Sequence, residues 1–523
     1  MEDQAKTPRK INRPWVVMLL TFLPLAFDWT YKILLHPRPY WIHYYDPENI
    51  YFYGGLSLLD GEIPDNMDNP GTPVFLISGA IHWLMGFGPL DIDLFRMFVY
   101  ILACVLNVVA AYILIRYILK NLSGLIQVVI LWTYFMCPQS LQYSNIWSPE
   151  ILCFSTASIV LLTSCSGDWD KFSWRRILII GVAVGLCCAL KWTFISFVAA
   201  LIAGLLFLPS IGWQQRLRYA AAGLVGIALG FVAATSVFAQ AYPMMFRRFF
   251  QFVIHNTIHG KGSIALPSPT VILSNLSKAL SQEGGWHLWL VGCFTLLGFW
   301  LWRAHKRKSH LPVRAVFLVI FCIVGLASSY ALAVTKEGML LRYLIPTGSV
   351  CLLAFALAMR LAPSNWLMRF RIPIFALAVL VLCCQISRDI RVHRNLIRNG
   401  LREHNEVTKS LERLTQGQLE STIIYSWRSP QPSFGLRFKA SECHLRVIEE
   451  KFPYEGHYLP WRHKVFLPSS SPTWDYLVIQ EDLMVGFPDP LGPVLASIGN
   501  VRIVGKADSS SAHVDSKKDL NTK

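Results

Sequence analysis

Long apolar runs separated by short polar turns fill the first three quarters of the chain. A helix needs about 20 predominantly apolar residues to cross the hydrocarbon layer of a bilayer. The pattern therefore predicts a polytopic α-helical membrane protein with about eleven transmembrane helices. The predicted spans are 15–35, 94–118, 122–139, 149–165, 177–190, 193–209, 219–239, 286–303, 315–334, 343–360 and 372–388.

The run at 177–209 has two interpretations, because its 33 residues are too many for one span and few for two. Either two short helices meet at Lys191, or one tilted helix carries a lysine whose ammonium group reaches the membrane surface. Two crossings place the basic turns around Arg216, in 303–314 and in 360–371 on the cytoplasmic side. Cytoplasmic loops carry an excess of Lys and Arg. We therefore predict two short helices that meet at Lys191 near the outer surface.

This topology places the large polar segments on the outer face, and long loops on one face usually carry the function. We predict a transmembrane domain at 1–388, a small extracytoplasmic α/β domain at 389–506 and a disordered tail at 507–523. The outer loops of the transmembrane domain are expected at 36–93 and 240–285. In the α/β domain the expected strands are 421–426, 475–480 and 500–505, and the expected helices are 397–416 and 432–450.

The composition agrees with this class and excludes others. With 54% hydrophobic and only 15% charged residues, the chain is too apolar for a soluble protein of 523 residues. Its 13% aromatic residues argue against a disordered chain. The net charge of +16 is the bias expected of cytoplasmic loops, so no nucleic-acid partner is predicted.

The acidic residues of the transmembrane domain are concentrated in the first outer loop. Asp46 stands before a proline where a helix is predicted to begin, and Asp and Pro favour the N-cap and the first helical position. Glu48 follows, and Asp68 precedes a rigid Asn-Pro-Gly-Thr-Pro turn at 69–73. Asp46 therefore has two interpretations. It caps a helix and has no further role, or it belongs to an acidic pocket above the bilayer.

Two other pairs have the spacing of neighbours on a helix. Asp28 and Lys32 are one turn apart at the outer end of the first span, and we predict that they form an ion pair. His255 and His259 in the second outer loop are also four residues apart, which is a metal-ligand spacing. No Glu accompanies them as in zinc proteases. We predict that they contact lipid phosphate or sugar and that no metal is bound there.

The first outer loop resembles that of the GT-C superfamily of membrane glycosyltransferases, which use polyprenyl-phosphate sugars. The similarity rests on Asp46, Tyr53-Gly54 and the turn at 69–73. It is greatest to the family 39 protein mannosyltransferase and aminoarabinose transferase type, especially to uncharacterised bacterial members. Many of these have His where this chain has Asn69. Further motifs that are similar are Arg96, Ser148-Pro149-Glu150, Gly181-x3-Gly185 followed by Lys191, and Arg342-Tyr343-x-x-Pro346.

The resemblance implies a GT-C-like fold and a role for each matching residue. Asp46 would be the general base, assisted by Glu150 and Asp68, because the acceptor must lose a proton as it attacks the sugar. Lys191 and Arg342 would hold the lipid phosphate, which gathers negative charge as it leaves. Other substrate-binding candidates are Tyr343, Arg96, Glu48, His255 and His259. For Glu150 the alternative is a helix-stabilising carboxylate, and for Lys191 and Arg342 it is an interfacial anchor.

The expected activity is transfer of a sugar from a polyprenyl-phosphate-linked donor to a lipid, glycan or protein acceptor. The expected location is a bacterial plasma membrane, with the site facing the periplasm or exterior. One alternative is a transporter or flippase of lipid-linked sugars, although the acids gather at the outer face and not along a path through the spans. Another is an inactive GT-C-like scaffold, which the Asn69 departure leaves open. The sugar, the acceptor, the anomeric outcome and a divalent cation as cofactor also stay open.

Overall fold

The computed structural model divides the chain into two compact units. The first comprises Met1–Leu35, Ile63–Ile77 and Met97–Ile390, and the second comprises His36–Glu62, Ser78–Arg96 and Arg391–Lys523. The structure describes residues 14–42, 46–64, 71–165, 173–208, 211–255, 267–282, 284–306, 311–336, 341–416, 421–426, 431–432, 436, 442–459, 464–467, 473–489 and 491–506. The tail predicted at 507–523 lies outside these residues.

The first unit ends at Ile390, and the domain bounds predicted at 388 and 506 stay a prediction. The two loop segments 36–62 and 78–96, which the sequence suggested as part of the transmembrane domain, cluster with the C-terminal residues instead. Hydropathy marks where a chain leaves the membrane, but it does not indicate which polar segments pack together. The second unit is therefore assembled from three separate stretches of sequence.

Helices make up most of the described chain. They are α1 (Pro14–Thr30), α2 (Asp46–Leu59), α3 (Thr72–Met85), α4 (Ile92–Tyr117), α5 (Gly124–Phe135), α6 (Pro138–Gln142), α7 (Cys153–Cys165), α8 (Trp174–Leu190), α9 (Ile195–Leu206), α10 (Trp213–Thr235), α11 (Tyr242–Ile254), α12 (Pro269–Gln282), α13 (Gly284–Lys306), α14 (Val313–Val334), α15 (Ile345–Leu361), α16 (Ser364–Leu414) and α17 (Glu442–Lys451). Every predicted span coincides with one of these helices or a large part of it.

The surface of these helices is that of an integral membrane protein. Six helical segments among the described residues are long and apolar enough to cross a bilayer, and they are Pro14–Leu35, Ile92–Tyr117, Trp213–Gln251, Gly285–Lys306, Val313–Val334 and Ser364–Leu414. On α1, Trp15, Leu19, Leu23 and Phe27 form an exposed apolar stripe at four-residue spacing. Such a stripe is unfavourable in water but is stable against lipid. The number of crossings stays a prediction.

The helix break at Lys191 was predicted correctly. Helix α8 ends at Leu190, and Lys191 has extended backbone angles of φ −158° and ψ 135°. A short 3₁₀-helix at Trp192–Phe194 follows, and α9 begins at Ile195. The alternative of one continuous tilted helix is therefore wrong. Conversely, the span predicted at 372–388 and the helix predicted at 397–416 are parts of one helix, α16, because no Gly, Pro or cap interrupts the sequence between them.

Glycines bring α8 and α10 into close contact. A Cβ on Gly185 would lie 2.2 Å from the carbonyl oxygen of Ile227, and one on Gly230 would lie 2.1 Å from that of Val182. Small residues four apart allow helix backbones to approach in this way inside membranes. The Gly181-x3-Gly185 motif is thus explained by packing against α10, and this packing fixes the end of α8 that carries Lys191.

We expect Gly185→Ala to destabilise the protein, because the added methyl group meets backbone atoms that cannot rotate away. Overpacking of this kind costs about 1–3 kcal/mol, which a thermal unfolding curve of the detergent-solubilised protein would detect. Gly223→Ala is the matched control on α10, since its Cβ would lie at an ordinary 3.4 Å from Leu205. Equal melting temperatures for both variants would contradict this interpretation of the α8–α10 contact.

The C-terminal part of the second unit contains a mixed six-stranded sheet. The strands are β1 (Ile423–Ser426), β2 (Glu455–Leu459), β3 (Lys464–Phe466), β4 (Tyr476–Gln480), β5 (Leu491–Ile498) and β6 (Val501–Lys506), in the order β3-β2-β1-β4-β6-β5. β1 is parallel to β2 and β4, and the other pairs are antiparallel. The predicted strands at 421–426, 475–480 and 500–505 are β1, β4 and β6.

The sequence missed β2 and β3 because they are short and lack the apolar run of a buried strand, and it missed β5 because Gly and Pro near its start resemble a turn. β3 has only three residues, and β5 is an edge strand that contains Gly492 and Pro493. Proline is tolerated at a sheet edge, where its missing N–H is not needed. Apolar side chains cover both faces of the central strands, with Ile424 and Leu477 on one face and Tyr425 and Val478 on the other.

Candidate active site

The first outer loop forms a helix that begins where the sequence predicted. Helix α2 begins at Asp46, so this aspartate occupies the N-terminal end of the helix. The positive end of the helix dipole and the free N–H groups of the first turn favour a carboxylate there. Asp46 is the first residue of α2, one position from the N-cap that the sequence predicted, and its catalytic role stays a prediction.

Glu48, in the first turn of α2, is held by two arginines. Its Oε2 atom accepts a hydrogen bond from Arg38 Nη2 at 2.9 Å and lies 3.2 Å from Arg96 Nε. Arg96 Nη1 also donates to the carbonyl oxygen of Arg38 at 2.8 Å and to Asp93 at 3.2 Å. The three side chains of this clamp, Arg38, Glu48 and Arg96, are at most 8% exposed. The clamp fixes the first turn of α2, and with it the position of Asp46.

Glu48→Ala should destabilise the second unit, because it removes the buried carboxylate that two buried guanidinium groups share. Removing one member of a buried ion pair costs about 3–5 kcal/mol, so we expect a lower melting temperature of the solubilised protein. The control is Asp93→Asn, which removes a carboxylate that is 67% exposed and should change little. A melting temperature of Glu48→Ala equal to that of the control would mean that the clamp contributes no stability.

Two further contacts hold α2 in place within the second unit. The buried Tyr53 hydroxyl donates to the carbonyl oxygen of Pro89 at 3.0 Å. At the other end of the helix, His444 of α17 lies 3.2 Å from the carboxylate of Asp60. Burial lowers the pKa of His444, although the charges of Asp60 and Glu62 act in the opposite direction. These contacts leave little freedom to the helix that begins at Asp46.

In the first unit, residues from three separate predicted motifs come together. Lys191, at the break between α8 and α9, forms an ion pair with Glu150 in the 3₁₀-helix Pro149–Leu152. Both side chains are buried, at 7% and 2% exposure. The Lys191 ammonium also lies 5.9 Å from the centre of the Tyr343 ring, within the range of a cation–π contact. Glu150, Lys191 and Tyr343 are therefore neighbours, as their shared assignment to one site requires.

Buried charges of this kind are expensive in a membrane protein and usually mark functional positions. A helix that continued past Leu190 would satisfy its own backbone, whereas the extended Lys191 interrupts it. The interruption lets the lysine side chain meet Glu150 across 41 residues of sequence. The arrangement gives a fixed, water-poor cation of the type that can bind a phosphate.

The structure describes fewer contacts for the remaining candidate residues. Arg342 lies in the 3₁₀-helix Leu341–Leu344, beside Tyr343. His255 follows α11, and its carbonyl oxygen accepts a hydrogen bond from Lys336 Nζ at 2.5 Å. Asp68 and His259 lie outside the described residues. Among the residues that the structure describes, no group of three or more His, Cys, Asp or Glu side chains could hold a metal ion.

The predicted Asp28–Lys32 ion pair includes a third charged residue, Asp389, that the sequence did not indicate. Lys32 Nζ lies 2.8 Å from Asp28, which confirms the predicted pair, and it also contacts Asp389 of α16. Arg38, the second arginine on Glu48, was missed as well. Only the chain fold brings Asp389 to Lys32, so no local sequence signal could have revealed it.

Comparison with known proteins finds similarity at the level of structure. No protein-family model and no curated protein sequence matches the chain. The crystal structure of ArnT from Cupriavidus metallidurans bound to undecaprenyl phosphate matches with a TM-score of 0.55 and 14% identity, over 95% of this chain and 98% of that one. The apo state of the same protein matches with a TM-score of 0.55 and 14% identity, over 94% and 97%. ArnT is an aminoarabinose transferase of the GT-C superfamily. The chain therefore has the GT-C fold, as the first outer loop and the later motifs predicted.

Proposed function

We propose that the chain is a membrane glycosyltransferase that moves a sugar from a polyprenyl-phosphate carrier to an acceptor. The observation that carries the proposal is the buried Lys191–Glu150 pair at a helix break of a GT-C fold. Support for the carrier comes from ArnT, whose structure of this fold contains undecaprenyl phosphate. The reaction is assigned to the outer face of a bacterial plasma membrane, and the acceptor is a lipid, a glycan or a protein.

In this reaction an acceptor hydroxyl or amine attacks the anomeric carbon of the sugar. A bond forms between the acceptor atom and that carbon, and the bond from the carbon to the phosphate oxygen breaks. The phosphate oxygen keeps the electron pair and leaves as polyprenyl phosphate. We assign the acceptor proton to Asp46, since a positioned carboxylate can act as a general base and the resemblance to GT-C enzymes assigns that role to this position.

The leaving phosphate is assigned to Lys191 and Arg342. Lys191 is a fixed cation, because its ammonium group is held by Glu150 and faces the Tyr343 ring. A fixed cation stabilises developing negative charge more than a mobile one in water does. Glu150 is assigned the task of holding Lys191, with Asp68, His255 and His259 as further candidates for substrate contact. The proposed role of the clamp formed by Arg38, Glu48 and Arg96 is to position Asp46.

The test is transfer by the purified chain in proteoliposomes that contain polyprenyl-phosphate sugars labelled in the sugar. Lipid, glycan and protein fractions from cells lacking the chain serve as acceptors, each in a separate reaction. We expect label in one of these fractions, with release of polyprenyl phosphate. Labelled donor that crosses the bilayer without transfer would establish the transporter instead, and neither transfer nor crossing would establish the inactive scaffold.

A further inference from the structure

A groove in the second unit is lined by none of the residues assigned to sugar transfer. Its volume is about 530 Å³, within the range typical of small-molecule sites. Its walls are the last turns of α16, the first residues of β1 and the turn between α17 and β2. A groove of this size beside a sheet can hold a small ligand.

Gln431 is the feature of the groove that points to a ligand. This residue lines the groove and is only 5% exposed. Its side-chain amide nitrogen is buried and has no hydrogen-bond partner among the described residues. A buried N–H group without an acceptor is unfavourable, and such groups usually find a partner in a water molecule or a ligand. Because Gln431 lines the groove, a rotation of its side-chain amide would bring this unused donor to an occupant.

The other side chains indicate what kind of ligand would fit. Carboxylates of Glu412 and Glu455 can accept hydrogen bonds, and the hydroxyl of Thr408 can both donate and accept. The ring of Tyr454 adds an aromatic wall. The two carboxylates outnumber the single cation, Lys451, so the groove disfavours an anion such as a phosphate or nucleotide.

We propose that this groove binds a neutral saccharide. Sugar hydroxyls both donate and accept, so they match the Gln431 donor and the Glu412 and Glu455 acceptors together. The apolar C–H face of a sugar ring would pack against Tyr454, since aromatic rings combine a large apolar face with a polar tip. The site is separate from the transfer chemistry assigned to Asp46 and Lys191, and its occupancy requires no polyprenyl-linked donor.

The experiment measures binding of oligosaccharides to the full chain in lipid nanodiscs, without donor. An array of neutral and anionic mono- to pentasaccharides identifies the bound class, and saturation-transfer NMR then gives its affinity. We expect a neutral saccharide to bind, and Gln431→Leu to weaken it by about tenfold or more. The melting temperature of the unliganded Gln431→Leu protein should stay equal or rise, because the substitution removes an orphaned buried donor. A glutamine with a purely structural role would instead lower it.

Two other variants complete the test. Glu455→Gln should also weaken binding, while the matched control Glu481→Gln should not, since Glu481 pairs with Arg502 outside the groove. Tyr454→Ala removes the half-buried aromatic ring from the wall of the groove. Saccharide binding by this variant tests the groove even if Gln431→Leu fails to fold. Asp46→Asn should bind the saccharide normally, which separates this site from sugar transfer. Failure of the wild-type chain to bind any neutral saccharide, or binding that survives both Gln431→Leu and Tyr454→Ala, would overturn the proposal.

Discussion

Asp46→Asn is expected to lower kcat for sugar transfer by about 10²–10⁴-fold, the usual contribution of a general base. Asparagine is nearly isosteric with aspartate and is an equally good helix cap. The start of α2 should therefore keep its structure, and the melting temperature should not change. The rate is measured as release of polyprenyl phosphate in the proteoliposome assay.

This variant separates the two interpretations of Asp46. If the residue only caps α2, Asn would preserve both stability and rate, whereas Asp46→Ala would lose about 1 kcal/mol of stability. Asp93→Asn serves as the control for loss of one negative charge in the same loop, because its carboxylate is largely exposed. Transfer by Asp46→Asn at the wild-type rate would show that Asp46 is not the base.

Lys191→Met is expected to reduce kcat for sugar transfer by about 10²–10³-fold, the effect of losing one fixed electrostatic contact to a developing charge. The same change leaves Glu150 buried without its counter-charge, so stability should also fall by about 3–5 kcal/mol. Lys278→Met is the matched control, since Lys278 is exposed on α12. Rates and melting temperatures are measured on the same preparations.

The double variant Lys191→Met with Glu150→Gln distinguishes a chemical role from a structural one. Removing both charges avoids an unpaired carboxylate, so most of the lost stability should return. The transfer rate should stay low, because no cation remains at the helix break. Recovery of the rate together with the stability would mean that the ion pair only supports the fold.

Part of this site could be read from the sequence, because the signals are local. The Asp-Pro start of α2, the lysine in an apolar run and the acid after a proline all stand out within a few residues. Their partners do not. Arg96 resembled a family motif, but its meeting with Arg38 on Glu48 joins residues 58 positions apart, and Arg38 looks like any surface arginine in the sequence. The contact of Lys191 with Tyr343 likewise depends on the packing of helices.

The same limit applies to the C-terminal sheet. β1, β4 and β6 were predicted because each is a run of apolar, often β-branched residues, as a buried strand requires. The edge strands β3 and β5 have one face toward solvent and tolerate polar residues, Gly and Pro. Their strand character comes from hydrogen bonds to a neighbour and not from their own composition.

The sequence by itself determined the membrane class, the positions of most membrane helices and the break at Lys191, because hydropathy and helix signals act over about 20 neighbouring residues. Asp28 and Lys32, four residues apart, pair as the sequence predicted, but only tertiary structure decided which distant charges compensate each other. Lys32 and Asp389 meet across 357 residues, and Glu150 and Lys191 meet across 41. A buried charge must find an opposite one wherever the packed helices bring it. Helix packing therefore brings acidic and basic residues that are distant in the sequence together in one candidate site.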